Sequence, residues 1–113
     1  MTKVKIEPGI CGFVTFVTAE LNEDDEDMPY AVKLSVKTGC PSITRMMEEL
    51  GNDFDGMALC LKKPGKGELY EYIQKSSEFP GHASCPVING ILKCAEVECG
   101  LALRKNAAIT FED

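Results

Sequence analysis

At 113 residues the chain is long enough for one domain, residues 1–113, and too short for two, since independent domains usually need on the order of 100 residues each. Its 44% hydrophobic and 27% charged residues support a packed core and exclude a disordered chain, while no apolar run approaches a membrane span and no signal-peptide block opens the sequence, which predicts a cytoplasmic protein without membrane partners. The formal charge of -6 argues against a nucleic-acid partner, and the excess sits in residues 20–27, where six of eight residues are acidic; without the glycine and spaced ligands of an EF-hand loop, this segment reads as a solvated turn.

Val4 and Ile6 alternate with charged residues and predict a short first strand, closed by Pro8 and Gly9 before a loop that holds Ile10, Cys11 and Gly12. A second strand follows, with Phe13, Thr15 and Val17 on one face and Val14, Phe16 and Thr18 on the other, a pattern expected of a strand covered on both faces. Beyond the acidic segment Val32, Leu34 and Val36 alternate with Lys33, Ser35 and Lys37, as in a half-buried strand, and the two strands are expected to form an antiparallel hairpin.

At Cys40 and Pro41 the period changes. Ile43, Met46, Met47 and Leu50 fall at i, i+3, i+4 and i+7, predicting a helix with Cys40 at its N-cap, Pro41 at its first position and Gly51 as its stop. Residues 54–61 fit either a short helix or a buried strand. After a break at Pro64 and Gly65, the residues Leu69, Tyr72 and Ile73 predict a helix that stops before Phe79 and Pro80. Cys85 and Pro86 then repeat the first arrangement ahead of Ile88, Ile91, Leu92, Ala95 and Cys99, and Gly100 ends the run. Residues 107–112, with Ile109 and Phe111 on one face, predict a final strand against the edge of the first. The expected fold is α+β: a small antiparallel sheet of three strands plus a C-terminal strand, with helices packed on one face and Ile43, Met47, Ile88, Leu92, Leu34 and Val36 in the core.

Six cysteines in a cytoplasmic chain call for an account other than disulfides. A hairpin turn centred between Asp25 and Glu26 places residues whose numbers sum to 51 opposite each other, so Cys11 and Cys40 are expected side by side at the end away from the acidic turn. Cys85, at a helix start with His82 three residues earlier, can reach the same end. Three thiols and an imidazole suit zinc, and thiolates suit an iron–sulfur cluster; helix N-termini at Cys40 and Cys85 favour negative charge on sulfur. Cys99 continues an apolar stripe, Cys60 lies in the apolar run of residues 57–61 and Cys94 sits in mid-helix, so these three read as core or inert surface residues.

The order Cys11 and Gly12 opening a strand, a hairpin, Thr38, Gly39 and Cys40 opening a helix, and His82 close to Cys85 opening another helix resembles iron–sulfur cluster assembly scaffolds of the NifU/IscU type, over roughly residues 9 to 100. The resemblance implies that Cys11, Cys40 and Cys85 hold a nascent cluster near the surface with His82 assisting, and that a cysteine desulfurase, chaperones and acceptor apoproteins are the partners. The chain differs from those scaffolds in having Phe13 after the Cys–Gly pair, Ala83 and Ser84 between His82 and Cys85, and no proline- and lysine-containing chaperone segment.

Cysteine followed by proline at a helix start also looks like the small sulfur carriers of the SirA type, which gives a second expectation: a thiol-based carrier or redox protein using Cys40 or Cys85 without metal. A third is an interaction module whose cysteines only pack. A single histidine gives no Ser-His-Asp triad, no phosphate-binding glycine motif is present, and the basic residues form no stripe for nucleic acid, so a binding or carrier protein is expected in preference to an enzyme, with its oligomeric state open.

Overall fold

The computed structural model describes residues 1–24, 26–77, 79 and 82–113. The first three strands, β1 (Thr2–Ile6), β2 (Thr15–Leu21) and β3 (Ala31–Lys37), form an antiparallel meander, and a short β4 (Asp53–Asp55) joins the far edge to give the order β1-β2-β3-β4. The helices are α1 (Pro41–Leu50), α2 (Gly56–Cys60), α3 (Glu68–Lys75) and α4 (Pro86–Glu98). The α+β class is as expected, but the fourth strand is not the C-terminal one. Residues 107–112 carry no strand; the fourth place is taken by the start of the ambiguous stretch 54–61, which divides into β4 and α2.

Alternation sorts the sheet into two faces. Ile6, Thr15, Val17, Ala19, Val32, Leu34 and Phe54 are buried on the helix-covered face, joined there by Ile43, Met46 and Met47 of α1, Leu59, Leu69, and Val87, Ile88, Ile91, Cys94 and Ala95 of α4. Of the expected core, Val36 and Leu92 are only half-buried, packed against its margin. The other face is open: Phe16 is 52% exposed, so β2 is covered on one side and not on both. Around it the register sets Lys5 and Lys37 on either side of Phe16, and Glu20 and Asp53 on either side of Lys33, so the strands gather lysines that the linear sequence spreads apart.

The β2–β3 register pairs Phe16 with Lys37 and Leu21 with Val32, so the numbers sum to 53 instead of 51. The hairpin centre lies one residue later than the symmetric placement over the acidic run, because Leu21 and Val32 both remain in the ladder. Asp25, on which half of that expectation rested, lies outside the described residues.

Helix α4 crosses the meander antiparallel to β1, and two contacts fix it. A Cβ at Gly90 would lie 2.3 Å from Ile6 Cδ1, so only glycine lets the helix approach β1 this closely. At the other end the Glu98 carboxylate accepts from the Thr2 hydroxyl (2.8 Å) and the Leu21 N–H (2.9 Å) and pairs with the Met1 ammonium (3.3 Å). Among the described residues no helix is long and apolar enough to cross a membrane.

Candidate thiol site

With Gly90 over Ile6 and Glu98 over Thr2, the N-terminus of α4 points to the end of the sheet where β1 finishes, β2 begins and β3 finishes. Cys11, Cys40 and Cys85 therefore share one end of the molecule. Cys11 lies in an exposed turn closed by the Gly12 N–H on the Gly9 carbonyl (3.0 Å), and both glycines have left-handed backbones, φ 98° and 73°, that other residues adopt at a cost. Cys40 is the N-cap of α1: its carbonyl accepts the first helical hydrogen bond from Thr44, and its N–H donates to the Thr38 hydroxyl oxygen (3.2 Å). Cys85 caps α4 in the same way, with Pro86 next, and its N–H donates to the His82 carbonyl (3.0 Å). Neither N-cap thiol bonds to its helix, and both side chains are half-buried against the core.

The site is pinned where the chain enters and leaves the hairpin. Thr15 donates to Thr38 (2.8 Å), and the Phe13 ring packs over Gly39, 3.0 Å from where a Cβ would stand. Phe13, opposite Cys40 when the 53 register is continued, thus takes the place expected of Cys11, and Cys11 lies farther out on the loop with the exposed Ile10. Cys85 and the exposed His82 line a groove of about 280 Å³ together with Tyr70, Ile73 and Phe79; Cys11 and Cys40 do not line it. Among the described residues no three His, Cys, Asp or Glu side chains converge closely enough to hold a metal ion. In chemistry the three thiols suit a soft metal or small cluster; in placement they share an end without meeting at a point.

The other three cysteines are held as thiols. Cys94 is fully buried and its Sγ donates to the Thr2 and Val17 carbonyls (3.4 and 3.7 Å); Cys99 donates to the Tyr30 carbonyl (3.7 Å) and Cys60 to the Leu92 carbonyl (3.6 Å). Burial, reinforced by Glu96 and Cys99, pushes the Cys60 thiol up to about 12; burial, opposed by one backbone hydrogen bond and aided by Glu98, pushes Cys94 up to about 11; Cys99 moves the same way for the same first reason. Because the thiolate is the nucleophile, mild iodoacetamide treatment of the native protein at about pH 8 is expected to label Cys11 first, Cys40 and Cys85 next, and to spare Cys60, Cys94 and Cys99 until the protein unfolds. Peptide mass spectrometry reads the order, and uniform labelling would contradict the division.

Glu98 was not singled out from the sequence, although its spacing signals it. It follows Cys94, Ile91 and Val87 by four, seven and eleven residues and so continues the buried stripe of α4. Away from the thiol end, a second groove of about 430 Å³ between α1 and α3 holds Glu49, Glu68, Glu71 and Tyr72, whose hydroxyl donates to Glu49.

Residues 2–111 match the family described as a family of unknown function, DUF6951. The chain belongs to DUF6951. No curated protein and no solved structure matches it. The DUF6951 match spans all eight elements and both parts of the thiol end.

Proposed function

We propose that this DUF6951 protein is a non-enzymatic metal- or iron–sulfur-cluster-binding protein, a scaffold or carrier that uses Cys11, Cys40 and Cys85 together. The observation that carries the reading is the division of the six cysteines: three have thiols bonded to backbone carbonyls, Cys94 and Cys99 buried and Cys60 half-buried, and three stand at one end of the sheet, on an exposed loop and two helix N-caps. Zinc or a small iron–sulfur cluster fits the donor set, and ligation requires the loop around Cys11 to close toward the helix starts. Gly9 and Gly12 give that loop its freedom. His82 serves as an assistant through its place beside Cys85. A cysteine desulfurase as donor and an apoprotein as acceptor are the matching partners, in the cytoplasm.

The lack of convergence favours a second reading, a metal-free sulfur carrier. There the Cys40 or Cys85 thiolate attacks the outer sulfur of a donor persulfide, the donor cysteine leaves as thiolate, and the sulfur stays on the protein as a new persulfide.

Anaerobic purification followed by metal, acid-labile sulfide and persulfide analysis separates the two. Serine at any one of Cys11, Cys40 or Cys85 is expected to abolish most metal or cluster retention with the apo fold intact, because ligands of one metal act as a unit, whereas serine at Cys60, Cys94 or Cys99 leaves retention unchanged. Stoichiometric persulfide on metal-free protein, lost with Cys40 or Cys85 alone, would replace the first reading with the second.

A further inference from the structure

Residues 103–113 carry neither helix nor strand, and every one of them is exposed. Among them Leu103, Ile109 and Phe111 are 94%, 92% and 98% exposed, an unusual placement for three large apolar side chains in a chain otherwise able to bury its core. In the sheet β1 is an edge strand, hydrogen-bonded among the described strands to β2, and an edge presents a row of unpaired backbone groups to any strand that fits.

The two segments fit each other. In β1, Thr2, Val4 and Ile6 face the helix layer and Lys3 and Lys5 face the open side. In residues 107–112, Ala107, Ile109 and Phe111 alternate with Ala108, Thr110 and Glu112. Paired edge to edge, Ile109 and Phe111 would continue the apolar face beside the half-buried Val4, and Glu112 would fall on the side of Lys3 and Lys5. Six residues at about 3.3 Å each span the five of β1. The segment does not make this pairing within its own chain, although α4 ends beside Thr2. The DUF6951 match runs through residue 111 and so includes Ile109 and Phe111.

We propose that residues 107–112 pair as a fifth strand with the free edge of β1 in a second copy of the chain, reciprocally, to form a strand-exchanged homodimer. The charge complementarity of Glu112 with Lys3 and Lys5 selects this chain itself as the occupant of the edge.

Sedimentation or light scattering under reducing conditions tests this, since reduction removes disulfide-linked dimers. The full chain is expected to run as a dimer, and a chain ending at residue 104, or carrying I109D and F111D, as a monomer with an unchanged circular dichroism core. K3E with K5E is expected to raise the dimer Kd by at least about tenfold, and adding E112K to recover much of the loss. In hydrogen exchange, the β1 amides should be protected in the dimer and open in the shortened chain. A full chain that stays monomeric when concentrated, or a dimer that survives removal of the segment, overturns the proposal. So does a monomer whose β1 protection depends on the segment, which would mean pairing within one chain.

Discussion

Ile91→Ala is expected to destabilise the protein by about 2–5 kcal/mol, the range for truncating a fully buried isoleucine. Ile91 is 0% exposed, on the helix that packs across β1, β2 and β3. The facing surfaces are strands held by their own ladders, which collapse poorly into a vacated volume, so much of the cavity would persist. Leu92→Ala, one residue along and half-buried, should cost clearly less. Urea denaturation of the two variants in parallel reads the difference, and equal losses would refute the helical phase given to α4.

Glu98→Ala should rank close behind, at about 1.5–3 kcal/mol, because it removes charge-assisted hydrogen bonds and leaves the Leu21 N–H and Thr2 hydroxyl without their acceptor. Burial by itself would raise the Glu98 carboxyl, but the Leu21 N–H, the Thr2 hydroxyl and the Met1 ammonium outweigh it and hold the group below its ordinary value. A carboxyl lower in the folded than in the unfolded state contributes its full stabilisation above the ordinary value near about 4.3 and loses it as pH falls through the folded-state value. The gap between the parent and Glu98→Gln should therefore be widest at neutral pH and close in acid. A gap independent of pH would show that the carboxylate's charge contributes nothing to the latch.

How far the sequence foretold this structure depended on how local each signal was. Helix α1 was legible to the residue because Pro41 and Gly51 bracket a clean apolar stripe, and the start of α4 because Cys85 and Pro86 repeat the same opening, although α4 ends at Glu98 and Cys99 is its C-cap. The strand expected at residues 107–112 did not form, because alternation specifies a strand's faces but not its partner, and among the described residues nothing pairs with this segment. Residues 54–61 defied assignment because a three-residue strand and a five-residue helix meet there, each shorter than the window that periodicity needs. The division of the cysteines was visible, since Cys99 continues an apolar helical stripe, Cys60 and Cys94 lie inside their segments, and Cys11, Cys40 and Cys85 sit at element boundaries. Their distances were not, because a two-residue shift in hairpin register puts Phe13 in place of Cys11, and nothing in the acidic run marks its centre.

The crossing of α4 over β1 has a bearing on how the protein is made. Cys94 rests its sulfur on the carbonyl of Thr2, so β1 waits for α4, the last of the described helices, before its inner face is covered. During translation the meander emerges with Ile6, Val17, Ala19, Val32 and Leu34 aligned on one bare surface, and the short helices that follow screen mainly the β3 side. Strands with an open apolar face and an open edge are the species that nascent chains lose to aggregation. Lys3, Lys5, Lys33 and Lys37 are all exposed on the opposite face, where like charges oppose such edge-to-edge and face-to-face association.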